Sequence, residues 1–182
     1  QKPILYPDSD VPIVEPENIG DADTLGEKEQ RTLEIVRAAI QNGERALIYT
    51  SWVRTDSQQK LKKLLTDEGY RTEILTDKIK TTDREDWVQK KLAAGMQVLI
   101  VNPSLVETGL DLNAFTTLVF YSMGYKLFTL RQASRRSWRI NQKAPAVKVY
   151  MLYYEDTIQQ KCLKLMASKL AVAGLIEGNF SE

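Results

Sequence analysis

Histidine is absent from this sequence of 182 residues, and cysteine occurs only once, at Cys162. Without histidine there is no imidazole base, no histidine metal ligand and no Ser-His-Asp triad. A single cysteine excludes an internal disulfide framework and a cysteine-cluster zinc site. We therefore expect no metal site in this chain and no catalysis that depends on these side chains.

Long apolar runs are also missing. No stretch approaches the ~20 apolar residues that span a bilayer, and the start lacks the apolar core of a signal peptide. Acidic and basic residues nearly cancel at a net charge of +1, which does not indicate a generic polybasic nucleic-acid binder. The apolar fraction of 43% can furnish a sizeable core. We expect a globular, cytoplasmic protein without a membrane partner, and we interpret the first residues as a cut inside a longer protein.

Proline is concentrated at one end of the chain. Four of the six prolines lie in residues 1–26, at Pro3, Pro7, Pro12 and Pro16. Proline lacks a backbone donor and fixes φ, so this stretch is predicted to be an extended, irregular linker or strap. We predict one domain over residues 27–174 and a tail over 175–182.

From Glu27 onward, helical patterns alternate with short apolar runs. Strands are predicted at 46–49, 71–75, 98–101, 118–121 and 147–153. Glycines stop the helices between them, and Thr82 with Glu85 forms a capping-box signal. A last helix is predicted from Asp156 to Gly174, with Ile158, Cys162, Leu165, Met166 and Leu170 on one face. This alternation predicts an α/β fold with a parallel sheet covered by helices on both faces.

A basic helix is predicted over residues 127–139. Leu127, Leu130, Ser134 and Trp138 share one face at helical spacing, and Gln132, Arg136 and Arg139 share the opposite face. Guanidinium groups are always charged and bind phosphate oxygens in a fork, so this face suits a polyphosphate. A basic helix face is also commonly just solvated, so the pattern alone leaves both interpretations open.

A second segment, residues 101–112, follows a predicted buried strand. Ligand-binding loops of α/β proteins lie at such strand ends. Gly109 allows close backbone approach, and Thr108 offers a hydroxyl and an amide to a phosphate. An ordinary strand-to-helix connection would show the same features.

Together these segments resemble a known family. The run Gln132-Ala133-Ser134-Arg135-Arg136-Ser137-Trp138-Arg139-Ile140-Asn141-Gln142 resembles motif VI of superfamily-two helicases, in the form found in Swi/Snf-type DNA translocases. Thr108-Gly109-Leu110-Asp111-Leu112 resembles motif V, and Leu47-Ile48-Tyr49-Thr50-Ser51-Trp52 resembles motif IV. The motifs occur in the family's order and span roughly residues 30 to 160.

The resemblance implies the second, C-terminal RecA-like domain of such a helicase, with a three-layer fold. ATP is bound between two RecA-like domains in this family. By resemblance, Arg136 and Arg139 reach the γ-phosphate as an arginine finger and its neighbour, with Gln132 as a polar contact beside them. Thr50, Ser51 and Thr108 are then expected to contact nucleic acid. Gly109 and Asp111 are expected to couple the nucleotide cleft to the nucleic acid.

No G-x-x-x-x-G-K-[ST] loop and no strand-borne Asp-Glu pair is present to hold a nucleotide and Mg²⁺. We therefore expect ATP and Mg²⁺ to be held mainly by the first RecA-like domain of the parent protein, and this chain alone to bind neither. DNA is favoured over RNA as the partner by the form of motif VI.

Several positions depart from the motifs, and they keep a second interpretation open. Asn141 replaces a glycine in motif VI, and Val106 and Glu107 replace glycines of the remodeller-type motif V. A carboxylate at Glu107 would repel a phosphate. A non-catalytic module that docks DNA or a protein partner is the alternative. A dinucleotide-binding enzyme is disfavoured, since no strand is followed by G-x-G-x-x-G.

Overall fold

The proline-rich start of the chain contains two short paired strands. They are β1 (Ile4–Leu5) and β2 (Pro12–Val14), which run antiparallel. The stretch predicted to be extended thus includes a short antiparallel pair, and Pro12 takes the first position of β2, where proline is tolerated. This computed structural model describes residues 4–5, 12–14, 25–51, 57–106, 110–122, 137 and 146–177.

A five-stranded parallel sheet forms the centre of the protein. Its strands are β3 (Ala46–Tyr49), β4 (Thr72–Leu75), β5 (Val98–Val101), β6 (Thr117–Phe120) and β7 (Lys148–Met151). Their spatial order is β4-β5-β3-β6-β7, so β3 lies between β5 and β6. All four neighbouring pairs are parallel, as the alternation of helices and strands predicted.

In the part of the chain that the structure describes, two helices cover each face of the sheet. The helices are α1 (Glu27–Gln41), α2 (Ser57–Asp67), α3 (Arg84–Ala93) and α4 (Ile158–Glu177). Side chains of α1 and α2 pack on the face that carries Ile48 and Ile100. Side chains of α3 and α4 pack on the opposite face, where the rings of Tyr49 and Phe120 stack with centroids 4.8 Å apart. The predicted three-layer arrangement is confirmed.

Burial follows the sequence pattern of the strands. Every residue of β3, β5 and β6 is buried, which explains why these strands read as continuous apolar runs rather than alternating ones. Strand β7 is an edge strand, and Lys148 and Val149 are exposed. The expectation of a half-covered last strand is therefore confirmed.

Glycines end the helices where the sequence predicted. Gly69 and Gly95 both adopt φ of +87°, just beyond α2 and α3. Their amide groups donate hydrogen bonds to carbonyls of the last helical turn, from Gly69 to Thr66 (2.9 Å) and from Gly95 to Leu92 (2.9 Å). A side chain would strain the backbone in this left-handed conformation.

Helix α4 departs from its prediction at both ends. It begins at Ile158 rather than Asp156, and it continues through Gly174 to Glu177. Met166 is buried and Cys162 packs against the core, but Ile158 and Leu165 are 71% and 56% exposed. The predicted single apolar face is thus only partly used for packing. No helix among the described residues has the length and apolarity needed to cross a membrane.

The central strand β5 generates a first prediction about stability. Leu99 is fully buried between helix layers, so Leu99→Ala is expected to lower the free energy of unfolding of this chain by about 2–5 kcal/mol. The same substitution at the exposed Leu165 is expected to cost about 0.5 kcal/mol or less. Urea unfolding of both variants measures the difference, and equal losses would contradict the assigned core.

Glu44 generates a prediction about acid stability. Its carboxylate accepts hydrogen bonds from Lys148 Nζ (2.6 Å) and Thr117 Oγ1, at the starts of β7 and β6. These bonds lower the pKa of the Glu44 carboxyl below its ordinary value of 4.5. Because the folded pKa is the lower one, the stabilisation is present above about pH 4.5 and is lost as the pH falls through the folded value.

Glu44→Gln removes this titration. The free energy of unfolding of the variant is therefore expected to fall less steeply than that of the wild type between about pH 5 and about pH 3. Urea unfolding at several pH values tests this expectation. Glu34→Gln, which changes an exposed carboxylate on α1, is the control and should keep the wild-type slope. A wild-type slope in Glu44→Gln would show that Glu44 is not responsible.

Candidate functional site

Three hydroxyl side chains meet where β3 and β6 end. Because the two strands are parallel neighbours, their carboxyl ends lie at the same edge of the sheet. The backbone N–H of Ser51 donates to Ser122 Oγ (2.8 Å), and Ser51 Oγ donates to the carbonyl of Ser122 (3.3 Å). Ser122 Oγ in turn donates to Thr50 Oγ1 (3.4 Å). These residues form a hydroxyl cluster at the carboxyl edge.

The two predicted nucleic-acid contacts differ in exposure. Thr50 is fully buried, and its backbone N–H donates to the carbonyl of Val101 on β5 (3.1 Å). Ser51 is partly exposed. Ser51 is therefore the member of the pair that presents polar atoms to solvent, while Thr50 anchors it to the sheet.

Ser122 was not among the predicted site residues. It comes two residues after β6, a strand that the sequence did predict. Applying the strand-end rule to β6 as well as to β3 and β5 would have found it. Ser122 joins the end of β6 to the end of β3 through side-chain bonds.

The predicted coupling residue Asp111 lies in a turn after β5. Its carboxylate accepts the backbone N–H of Asn113 (3.1 Å), and its own N–H donates to Glu85 Oε2 (2.9 Å). Glu85 belongs to the first turn of α3. The predicted capping box between Thr82 and Glu85 is wrong, since the N-cap residue is Asp83 and Glu85 binds a distant segment instead.

Arg84, the neighbour of Glu85, binds the backbone at Ile79 and at Leu105, which precedes the motif V segment. It is 8% exposed, and its guanidinium donates to the carbonyls of Ile79 (3.2 Å) and Leu105 (3.0 Å). Arg84 and Glu85 therefore bond to the chain on both sides of residues 106–110. A buried arginine bound to carbonyls fixes the backbone precisely, because unmade bonds would leave its charge unsatisfied.

Five predicted site residues lie outside the described residues. They are Thr108 and Gly109 of motif V and Gln132, Arg136 and Arg139 of motif VI. Ser137, between the two arginines, is described and fully buried.

A cleft of about 370 Å³ lies at the carboxyl ends of β4 and β5. It is lined by Gln58, Gln59, Leu75, Thr76, Asp77, Lys78, Asn102, Ser104 and Leu105. These residues come from the start of α2 and from the ends of β4 and β5. Asn102 Oδ1 accepts the backbone N–H of Ser104 (3.0 Å), which fixes the turn at the end of β5.

The described part of the chain contains no group of three or more carboxylate or cysteine side chains arranged to hold a metal ion. Asp77 is the only carboxylate that lines the cleft.

Comparisons with known proteins identify the relatives of this chain. An uncharacterised ATP-dependent helicase of Mycoplasma pneumoniae is 24% identical over 143 residues, which cover 78% of this chain and 14% of that protein. The ATP-dependent helicase fft3 of Schizosaccharomyces pombe is 23% identical over 154 residues, which cover 84% of this chain and 16% of that protein. The chain thus spans about a sixth of the length of these relatives.

A solved structure shows the same fold. The C-terminal part of the Fun30 ATPase domain matches with a TM-score of 0.68 at 19% identity, over 76% of this chain and 44% of that chain. The predicted RecA-like α/β fold is thereby confirmed. The family named helicase conserved C-terminal domain matches residues 27–141, more than half of the chain. This chain belongs to the helicase conserved C-terminal domain family and has a RecA-like fold.

Proposed function

We propose that this chain is the C-terminal motor domain of an ATP-dependent DNA helicase or translocase. The observation that carries the proposal is that β3, β5 and β6 end at one edge of the sheet, and each is followed in the sequence by one of the predicted functional segments. Motif IV ends β3, motif V follows β5, and the motif VI segment follows β6. Ligands of open α/β folds bind at this edge.

The contacts with DNA phosphates are assigned to the hydroxyl cluster and its surroundings. Ser51 is partly exposed and rigidly bonded to Ser122, so it can offer polar atoms to a phosphate at little cost in entropy. Thr50 supports it from a buried position. Thr108 is proposed as a further phosphate contact. The cleft at the ends of β4 and β5 adds Lys78 and the first turn of α2, where helix N-terminal amides favour anions.

Arg136 and Arg139 are proposed to act on ATP that the first RecA-like domain binds. Their charge would stabilise the charge that develops during transfer of the γ-phosphoryl group, with Gln132 as a polar contact beside them. Burial of Ser137 supports an orientation in which Arg136 and Arg139 face away from the core. In the predicted helix, Ser137 is three residues from Ser134 and belongs with the inward face.

Coupling between ATP and DNA is assigned to the segment of Gly109 and Asp111. Glu85 holds the backbone of Asp111, and Arg84 holds the carbonyl of Leu105, so both flanks of this segment are fixed to α3. A segment with fixed flanks can transmit a movement from one ligand to the other because it cannot absorb that movement.

Mg²⁺ and most of the ATP contacts are proposed to belong to the first RecA-like domain of the parent protein. The described residues lack a carboxylate cluster for the ion, and the chain spans only about a sixth of its relatives. We accordingly propose that this chain alone does not hydrolyse ATP. DNA is proposed as the polymer, and greater stimulation of the parent ATPase by RNA would reverse that assignment.

Arg139→Ala in the parent protein tests the central role. We expect nucleic-acid-stimulated ATP hydrolysis to fall on the order of 10³-fold, while nucleotide binding largely persists. Arg31→Ala, which changes an exposed arginine of α1, is the control and should hydrolyse ATP at the wild-type rate. Undiminished turnover in Arg139→Ala would favour a docking module without catalysis.

Glu85→Met in the parent protein tests the coupling. Methionine keeps the length of the side chain but cannot accept the hydrogen bond from Asp111. We expect the ratio of stimulated to unstimulated ATPase to fall about tenfold, as one hydrogen bond to a charged group is lost. Asp86→Met, at the exposed neighbouring carboxylate, should keep the wild-type ratio. If both substitutions changed the ratio equally, Glu85 would have no specific role in the coupling.

A further inference from the structure

Lys28 occupies an unfavourable place for a cation. It lies in the first turn of α1, where the helix dipole repels positive charge, and the residue is only 9% exposed. Loss of solvent around the ammonium lowers the pKa of Lys28. A lysine in this position requires compensating contacts, since an unsatisfied buried charge is costly.

The compensating contacts come from three separate parts of the chain. Lys28 Nζ donates to Gln159 Oε1 in α4 (2.8 Å) and to the carbonyl of Tyr121 after β6 (3.5 Å). It also lies 4.6 Å from the ring centroid of Tyr154, which follows β7, within the range of a cation–π contact. The next residue of α1, Glu29, accepts a hydrogen bond from the hydroxyl of Tyr121 (2.8 Å). These five residues are called the Lys28 cluster.

Tyr121 connects the Lys28 cluster to the end of β3 and to Ser122 of the hydroxyl cluster. Its backbone N–H donates to the carbonyl of Tyr49 at the end of β3 (3.0 Å). Its side chain and its carbonyl are held by Glu29 and Lys28. Burial, reinforced by the bond to Glu29, raises the pKa of the Tyr121 phenol, which therefore remains a donor. The next residue is Ser122 of the hydroxyl cluster, after which the chain continues towards motif VI.

Helix α4 depends on the same cluster for its attachment. Ile158 and Leu165 are exposed, and its described apolar contacts with the core are made by Cys162 and Met166. The bond from Lys28 to Gln159 fixes the first turn of α4 to α1. One ammonium thus connects α1, the exit of β6 and α4.

We propose that Lys28 is a positioning residue for ATP hydrolysis by the parent protein. It holds the exit of β6 between α1 and α4 and thereby sets where the segment with Arg136 and Arg139 leaves the sheet. This inference rests on the proposed function. Small displacements of groups that act on a reacting phosphate reduce the rate of the chemical step more than the binding of substrate.

Lys28→Met in the full parent protein tests the proposal. Methionine fills the space of the lysine stem but provides no charge and no donor. We expect kcat for nucleic-acid-stimulated ATP hydrolysis to fall about tenfold or more, with KM for ATP changed less than about threefold. Hydrogen exchange at residues 121–122 and in the first turn of α4 should become faster in the same variant.

Lys60→Met is the matched control. Lys60 Nζ lies 3.6 Å from the same Glu29 carboxylate, and its side chain is 49% exposed. Among the described contacts, Lys60 makes none with Tyr121 or α4. Its kcat and exchange rates should match those of the wild type. Gln159→Leu, at an exposed position of α4, provides a second variant if Lys28→Met does not fold. It should lower kcat in the same direction by a smaller factor.

Three results would overturn the proposal. The first is a wild-type kcat with unchanged hydrogen exchange in Lys28→Met, or in Gln159→Leu if Lys28→Met does not fold. The second is a rise in KM for ATP without a fall in kcat. The third is an equal loss of kcat in Lys60→Met. Failure of the proposed function is recognised separately, because Arg139→Ala would then retain full turnover. Hydrogen exchange reports on the Lys28 cluster whether or not the arginines act on ATP.

Discussion

The parallel sheet with β3 at its centre is the constraint on which the rest of the structure depends. Parallel strands need a crossover for every connection, so helices cover both faces and the inner strands β3, β5 and β6 are almost entirely apolar. Side chains within β3, β5 and β6 are consequently unavailable for chemistry, since all of them are buried. Polar groups can collect only where the strands end. The carboxyl edge, with Ser51, Ser122 and the turn after β5, is therefore where recognition of phosphate is possible.

Side-chain bonds to the backbone then make this edge rigid. Glu85 and Arg84 hold the flanks of the motif V segment, and Asn102 fixes the turn that follows β5. Ser122 joins the ends of two strands. The proposed function requires phosphate-binding groups to keep a constant geometry while the two RecA-like domains move relative to one another. Irregular segments held by charged and hydroxyl side chains meet that need, because several bonds together restrict their backbone.

Most of the fold could be predicted from local patterns. Apolar runs located four of the central strands to within a residue, and the glycines after α2 and α3 marked their ends, because burial and positive φ leave a direct mark on the sequence. Long-range side-chain partners leave no such mark. Glu85 was predicted to be part of a helix cap but binds Asp111, 26 residues away. The bond of Lys28 to Gln159, 131 residues away, has no counterpart in the local sequence pattern. Of the predicted site residues, Thr50, Ser51 and Asp111 lie at the expected edge, and the roles assigned to motif VI remain predictions.

The most direct test of the account is a structure of the parent protein with an unreactive ATP analogue and DNA. The account predicts that the guanidinium groups of Arg136 and Arg139 lie within hydrogen-bond distance, about 3 Å, of the γ-phosphate bound by the first domain. It also predicts that Ser51 faces the DNA backbone. Arginines directed into solvent, far from the nucleotide in a closed complex, would contradict the assignment of this chain as the half that supplies charge to ATP.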